Sequence, residues 1–375
     1  MLKTIKIDNF RGFQSFKLQQ LGRVNLLVGK NNSGKTSILE AIQLLCSRTN
    51  LELLAEVMTN RGEYFWNDNQ RKNRDLDICH LFYGHENQPD SKLCISGMNG
   101  ETKETITVSI GARYFHLDDD LGRELNEKSS SLNESSILIK GLNFGINWTN
   151  GEETEILNFP LSNNNGLDLD YIQRFRLDGK NPAPKIQFIT SSSLGTEKMI
   201  ELFDQIVLTS EEKLVEQALQ RIDSKIQRIA PISSQKLRYS SVSRGGFRVL
   251  LSDRNQPVPI GSMGDGIWRI LGLVLAIVCA KDGYLFVDEI DTGLHFTAMS
   301  DMWKMIWETA KRLNVQVFAT THNSDCWTSL ASIAEQQDAT EDGIRIHRIE
   351  KGKETSVVFI EPEIVIAAQE NIEVR

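Results

Sequence analysis

The stretch GKNNSGKTSILEAI (residues 29–42) decides the fold class of this chain, because it matches the phosphate-binding pattern Gly-x-x-x-x-Gly-Lys-Ser/Thr. It follows the apolar run RVNLLV (residues 23–28), which predicts a buried strand, and it is followed by apolar residues at helical spacing. Glycines let backbone N–H groups turn toward a phosphate, and the dipole of the next helix favours an anion. The order strand, glycine loop, helix therefore predicts a nucleotide-binding site.

The loop also supplies the first candidate side chains for nucleotide chemistry. We expect Lys35 to neutralise the β- and γ-phosphates and the Thr36 hydroxyl to ligate Mg²⁺. A chance match is the alternative, but both flanks of the loop fit the motif. The predicted nucleotide contacts of the loop are Asn31, Asn32, Ser33, Gly34, Lys35, Thr36 and Ser37.

Composition limits the class of protein. The chain has 375 residues, enough to bury a large core, and its five cysteines are widely separated, so we expect a reduced cytoplasmic protein without a zinc site. The start of the chain lacks the apolar core of a signal peptide, and the longest apolar run, residues 270–280, is too short to span a bilayer.

The overall charge argues against a surface that binds nucleic acid everywhere. The formal net charge is −8, whereas phosphate neutralisation by basic residues supplies most non-specific affinity for DNA. A local basic stretch remains, and solvated strand edges and a DNA-facing patch explain it equally well. Its members are Lys225, Arg228, Lys236, Arg238, Arg244 and Arg248.

The pattern of elements predicts one α/β domain in two lobes. Short alternating runs between residues 77 and 159 indicate an antiparallel sheet, and apolar spacing of three or four over residues 196–229 indicates helices. Strands and helices then alternate, as in a parallel sheet. We predict an N-terminal lobe, a short helical insertion and a C-terminal lobe over residues 1–190, 191–232 and 233–375.

Two acids follow a later apolar strand in YLFVDEID (residues 284–291). Because parallel sheets place their active sites at the carboxyl ends of strands, we expect Asp288 to hold magnesium and Glu289 to orient the attacking water. His322, in ATTHNS (residues 319–324), is a candidate sensor of the γ-phosphate. The alternatives are a helix cap for the acids and a core position for the histidine.

A third segment, PIGSMGDG (residues 259–266), precedes a strongly apolar helix. A serine hydroxyl and glycine amides at a helix start make another anion site, here with Ser262, Gly264 and Asp265 as the candidate contacts. A second phosphate site is redundant within one active site. Across a two-fold dimer, however, each nucleotide could be closed by the partner's segment.

With these motifs in this order, the chain resembles the ABC-type ATPases of the RecF, SMC and OLD group, and most closely the small stand-alone RecF-like ATPases called the AAA15 family. The resemblance includes the opening IDNFRGF (residues 7–13) and assigns the motifs as Walker A, signature, Walker B and switch histidine. It implies a P-loop NTPase fold of the ABC-ATPase head type, with Arg11 near the nucleotide and residues 291–295 at a dimer seam. The signature departs from the Ser-Gly-Gly-Gln/Glu of transporters and SMC heads.

The resemblance also implies a function. We expect an ATP-hydrolysing switch that dimerises around two Mg²⁺–ATP and controls a separate effector, a nuclease or toprim-like protein, in prokaryotic defence against phages or plasmids. The alternative is a RecF-type clamp that captures DNA on ATP binding during repair or recombination. A GTPase is disfavoured because the sequence has no Asn-Lys-x-Asp motif.

Overall fold

The structure is a computed structural model that describes residues 1–66, 74–116, 137–151, 153–174, 184–232, 246–336 and 340–375. The strands of the described residues are, in chain order, β1 (Leu2–Phe10), β2 (Phe13–Leu18), β3 (Val24–Val28), β4 (Tyr64–Trp66), β5 (Arg74–Leu76), β6 (Lys92–Asn99), β7 (Thr102–His116), β8 (Ile137–Asn150), β9 (Glu153–Pro160), β10 (Leu167–Asp168), β11 (Ile186–Ile189), β12 (Ile226–Pro231), β13 (Phe247–Leu251), β14 (Val258–Pro259), β15 (Tyr284–Val287), β16 (Gln316–Thr320), β17 (Ile344–Arg348) and β18 (Val357–Phe359). The helices are α1 (Lys35–Ser47), α2 (Glu52–Asn60), α3 (Leu169–Arg174), α4 (Thr196–Ile206), α5 (Glu212–Ile222), α6 (Asp265–Cys279), α7 (Phe296–Leu313), α8 (Ser324–Ala334) and α9 (Glu361–Gln369).

The chain forms two compact units, and the first contains residues 18–39 and 184–375. Its centre is a six-stranded sheet in the order β11-β15-β16-β3-β17-β18. The strands from β11 to β17 are parallel, and β18 is antiparallel to β17. Every residue of β3 and β15 is buried, as their apolar sequences predict. The predicted α/β fold class is confirmed.

Helices cover this sheet and complete its core. All residues of α6 from Ile267 to Cys279 are buried, which explains why that segment is apolar at every position except Arg269. Buried side chains of α7 and α8, among them Trp303 and Leu330, belong to the same core. The first residue of α6 is Asp265.

The helical prediction for residues 196–229 is correct in its first part and wrong at its end. Helices α4 and α5 form, but residues 226–231 form strand β12, which pairs with β13. A register shift after Ile226 inserts one extra residue into β12, so Ile226 and Ile229 are both buried although they are three positions apart. A bulged strand can therefore imitate helical spacing.

The second unit contains residues 2–17 and 40–183. Its six-stranded sheet has the order β2-β1-β6-β7-β8-β9, and the pairs from β1 to β9 are antiparallel. The antiparallel region predicted from residue 77 onward is confirmed. A small sheet of β10, β5 and β4 also lies among the described residues of this unit.

A search of the described residues for an apolar helix long enough to cross a membrane finds none.

Candidate nucleotide-binding and hydrolysis site

The glycine loop connects β3 to α1 through backbone conformations that most residues avoid. Gly29 and Gly34 have φ values of 146° and 95°, and Asn32 has a φ of 60°. A Cβ on Gly29 would lie 2.4 Å from the carbonyl oxygen of Ile349, so a larger residue cannot be placed there without a shift of the backbone. The loop therefore has the glycine-dependent curvature that the sequence predicts for a phosphate cradle.

Lys35 is the first residue of α1 and is held inside the loop by two backbone carbonyls. Its Nζ donates to the carbonyl oxygens of Gly29, at 2.8 Å, and Lys30, at 3.0 Å. Burial lowers the pKa of the Lys35 ammonium, and the nearby carboxylates of Asp288 and Glu289 oppose this shift. The ammonium thus lies inside the loop, where it could neutralise the charge of a bound phosphate group.

Thr36 and Asp288 bring the loop and the end of β15 together. The Thr36 hydroxyl donates to both carboxylate oxygens of Asp288, at 3.0 and 3.1 Å. Magnesium prefers such oxygen ligands and binds proteins through one or two carboxylates together with phosphates and water. The oxygens of Thr36 and Asp288 lie side by side and are of the type that magnesium prefers, so the two residues fit the predicted metal site.

Glu289 has an uncommon backbone conformation directly after Asp288. Its φ is 47°, in the left-handed region that is uncommon for residues other than glycine. Its N–H donates to the Thr320 hydroxyl at 2.8 Å, and that hydroxyl donates to Asp288 at 2.6 Å. The side chain remains 42% exposed and can meet a water molecule, as a water-orienting group must.

His322 lies beside this carboxylate. Its Nδ1 is 3.6 Å from Glu289 Oε1, and both side chains are partly exposed. A core role for the histidine, the alternative considered from the sequence, is inconsistent with a 49% exposed side chain. The structure therefore brings together four of the predicted site residues, Thr36, Asp288, Glu289 and His322, and Lys35 interacts electrostatically with the two acids.

Sequence reasoning missed two threonines that organise the site. Thr320 connects Asp288 and Glu289, and the hydroxyl of Thr321 donates to the buried carboxylate of Asp291 at 2.6 Å. Both residues stand directly before His322. The adjacent threonines at the end of an apolar strand were the available signal, because hydroxyls in that place can reach acids on the neighbouring strand.

The signature residues have a different environment. Ser262, Gly264 and Asp265 are all exposed, and the Ser262 hydroxyl donates to the carbonyl oxygen of Pro259 at 2.7 Å. Gly264 has a φ of 94° and precedes the first residue of α6. The predicted anion site therefore has a glycine-dependent helix start that faces solvent.

Arg11, the remaining candidate contact, belongs to a network inside the second unit. Its guanidinium is bidentate to Glu63, at 2.7 and 2.9 Å, and its Nε is 2.6 Å from Glu40 Oε2. Glu40 also accepts from Arg61 at 2.7 Å. These contacts join the β1–β2 turn to α1 and to the end of α2. The proximity of Arg11 to a nucleotide stays a prediction.

The described part of the basic stretch has acidic partners. In the basic stretch, Lys225 pairs with Asp253 at 2.8 Å, whereas Lys236, Arg238 and Arg244 lie outside the described residues.

Asp77, Cys79 and His80 lie close enough to share a metal ion, although no zinc site was expected. The two ring nitrogens of His80 face different partners, Asp77 at 3.4 Å and His85 at 3.3 Å. The His80 ring is thus placed by contacts with Asp77 and His85.

The chain is similar to several known proteins. A protein of Helicobacter pylori named "ATP/GTP phosphatase" is 22% identical over 350 residues, which cover 90% of each chain. The RecF protein of Clostridioides difficile, a DNA replication and repair protein, is 50% identical over 44 residues, or 12% of each chain. An SMC head bound to the C-terminal winged-helix domain of ScpA covers 96% of this chain and 97% of its own, with a TM-score of 0.47 and 12% identity.

The family itself is shown by a match over most of the sequence. The family model described as "AAA ATPase domain" matches residues 1–326, and this range contains the glycine loop, the signature, both acids after β15 and His322. The resemblance inferred from the motifs is confirmed, and so is the inferred hydrolysis of ATP. The chain belongs to the AAA ATPase domain family and is an ATPase.

Proposed function

We propose that this ATPase is a molecular switch in which two copies close around two Mg²⁺–ATP molecules and thereby control a separate effector protein. The observation that carries the proposal is the exposed helix start at Gly264 and Asp265, next to the exposed Ser262. A second anion site that faces solvent is useful when the phosphate comes from another subunit. In this arrangement each nucleotide is held by the loop of one chain and the signature of the other.

The proposed hydrolysis uses the residues grouped at the end of β15. Lys35 and the loop amides bind the phosphates, Thr36 and Asp288 hold magnesium, and Glu289 orients water toward the γ-phosphate. When bound, the magnesium ion neutralises charge that develops on the phosphoryl oxygens. His322 lies next to Glu289 and would contact the γ-phosphate. Release of the γ-phosphate would therefore change the surroundings of the Glu289 carboxylate.

The effector is proposed to be another polypeptide, a nuclease or toprim-like protein. Support comes from the resemblance to stand-alone RecF-like ATPases, which are often encoded beside such partners. The proposed setting is prokaryotic defence against phages or plasmids, in the cytoplasm. Opening and closing of the dimer would then be transmitted to the effector.

A RecF-type DNA clamp is the second candidate. The short but 50% identical match to a RecF protein favours it. The basic stretch gives it less support, because Lys225 is paired with Asp253 and Arg228 lies 3.9 Å from Glu212. A clamp would bind duplex DNA with steep salt dependence, since each neutralised phosphate releases counterions.

The dimer is tested with Glu289→Gln protein, in which ATP should persist. Light scattering after size exclusion with Mg²⁺–ATP should give twice the monomer mass, whereas Glu289→Gln combined with Ser262→Arg should stay monomeric. A bulky cation at Ser262 blocks the exposed site without touching the loop of its own chain. Both proteins should bind ATP equally. A dimer of the double variant would contradict the role of the signature.

The effector is tested by the composition of tagged Glu289→Gln protein recovered from its native host with Mg²⁺–ATP. A stoichiometric second protein, absent when Lys35→Ala is used as bait, is the expected result. A bare dimer that retains DNA would favour the clamp. A bare dimer without DNA would contradict both proposed roles.

A further inference from the structure

Arg269 is a buried cation whose role no motif explains. It lies in α6, one turn after the signature residue Asp265, and is only 3% exposed. Buried arginines normally pair with carboxylates, because taking an unpaired charge out of water is costly. Arg269 instead binds backbone carbonyls at the site.

The guanidinium of Arg269 donates to three carbonyl oxygens. They belong to Thr190, at 3.0 Å, Asp288, at 3.3 Å, and Glu289, at 3.0 Å. Thr190 and Asp288 follow the neighbouring parallel strands β11 and β15. One side chain of the signature helix therefore holds the ends of two strands, including the backbone of both acids that the site requires.

The contact with Glu289 has a conformational consequence. Glu289 is in the left-handed region, which costs free energy and persists only where surrounding contacts impose it. Its N–H is held by Thr320 from one side, and its carbonyl is held by Arg269 from the other. The N–H of Thr292 donates to the same carbonyl at 3.0 Å, so Thr320, Arg269 and Thr292 together hold the backbone from which the Glu289 side chain extends.

Electrostatics are consistent with this placement. Burial lowers the pKa of Arg269 to about 10, against the opposing influence of the carboxylates of Asp291, Asp288 and Glu289. The guanidinium remains charged at neutral pH. It donates hydrogen bonds more strongly than a neutral group would, and it offsets part of the negative charge of the three acids.

We propose that Arg269 is a positioning residue that couples the signature end of α6 to the hydrolytic carboxylate of Glu289 in the same chain. Asp265 and Arg269 are four residues apart on one helix, a distance of about 6 Å along its axis. A phosphate bound at the helix start would thus be linked, through a rigid turn and a fork of hydrogen bonds, to the backbone of Glu289. The link to a phosphate of another subunit rests on the proposed dimer, whereas the positioning of Glu289 does not.

The test compares Arg269→Gln and Arg269→Lys with the wild-type chain. Turnover should fall about 100-fold in Arg269→Gln, as for loss of a group that organises charge in an active site. The affinity for a fluorescent ATP analogue should stay within about threefold, because the glycine loop is untouched. Lysine keeps the charge but lacks the planar fork, so Arg269→Lys should recover about a tenth of the wild-type rate. The matched control is Arg221→Gln, at an exposed arginine paired with Glu308, which should leave both quantities unchanged.

Thermal unfolding of each variant separates positioning from stability. If Arg269→Gln does not fold, Arg269→Lys provides the test, because its turnover should fall while its nucleotide affinity stays the same. Wild-type turnover in both Arg269 variants would overturn the proposal. Equal losses of turnover and nucleotide affinity would overturn it as well, because they would indicate a general distortion of the site.

Coupling to the signature is read from turnover as a function of protein concentration. The wild-type rate per chain should rise when dimers form, and Arg269→Gln should dimerise without this rise. An equal rise in both proteins would refute the coupling. If the wild-type chain neither dimerises nor shows the rise, the proposed dimer fails, yet the basal turnover of Arg269→Gln still decides whether Arg269 positions Glu289.

Discussion

Helices α1 and α6 begin in nearly the same way but carry different side chains at their first residues. Each starts directly after a glycine in the left-handed region, Gly34 with a φ of 95° and Gly264 with a φ of 94°. The first backbone N–H groups of a helix favour an anion, and no side chain of the N-cap residue caps the start of α6. A phosphate could therefore be bound at either end by the backbone alone.

The side chains around the two glycines make the difference. Lys35 and Thr36, at the start of α1, are only partly exposed and interact with the acids after β15. At the start of α6 the first residue is the exposed acid Asp265, which partly satisfies the helix dipole itself. We call the start of α1, which has a cation and a hydroxyl from its own chain, the complete helix start, and the start of α6, which begins with an exposed acid, the incomplete helix start. The comparison teaches that a shared backbone motif gives a full site only where cationic and metal-binding groups converge on it.

Lys35→Ala should have the largest effect on this comparison. It removes the cation from the complete helix start and leaves the backbone of the loop in place, so nucleotide binding should be lost. Equilibrium binding of a fluorescent ATP analogue measures this. Lys30→Ala, at an exposed lysine of the same loop, is the control and should bind normally. Binding retained by Lys35→Ala would mean that the two helix starts differ less than the structure indicates.

Glu289→Gln should separate binding from chemistry at the complete site. The amide is nearly isosteric but cannot act as a base, so turnover should fall about 100-fold or more while ATP still binds. Phosphate release under single-turnover conditions gives the rate. Glu308→Gln, at an exposed acid, should hydrolyse ATP normally. Normal turnover by Glu289→Gln would remove this carboxylate from the proposed chemistry.

Gly264→Val should act on the incomplete helix start alone. A β-branched residue is strained at a φ of 94°, so the entry to α6 should shift and the ATP-dependent dimer should weaken by about tenfold. Monomeric ATP binding should persist. Gly100→Val is the matched control, because Gly100 also has a positive φ, of 63°, and open space around it, but lies in the β6–β7 turn. An equal loss of dimer in both variants would trace the effect to general destabilisation.

The residues of the two helix starts could be predicted because each lies in one contiguous stretch. Arg269 could not, since its partners are backbone carbonyls of residues 190, 288 and 289, and a backbone carbonyl has no signature in the sequence. Strand β12 was missed for a related reason. Its extra residue before Arg228 is a feature of pairing with β13, and pairing between distant segments cannot be read from apolar spacing.

The smallest expected effect concerns the stability of the sheet that supports the complete helix start. His347 lies on β17, opposite Leu27 of β3, and is fully buried. Burial lowers its pKa from 6.5 to about 3, and the charge of Arg345 adds to the shift. The unfolded chain therefore binds a proton below pH 6.5 that the folded chain refuses until about pH 3.

Stability should consequently fall as the pH drops from 6.5, by up to about 1.4 kcal/mol per pH unit from this residue. His347→Asn cannot titrate, so its urea midpoint, followed by tryptophan fluorescence, should depend less on pH between 6.5 and 4. Because the asparagine also changes the packing, the slope with pH is the informative quantity rather than the midpoint at one pH. The exposed His85→Asn serves as the control and should keep the wild-type slope. If His347→Asn also keeps the wild-type slope, protonation of His347 does not cause the loss of stability at low pH.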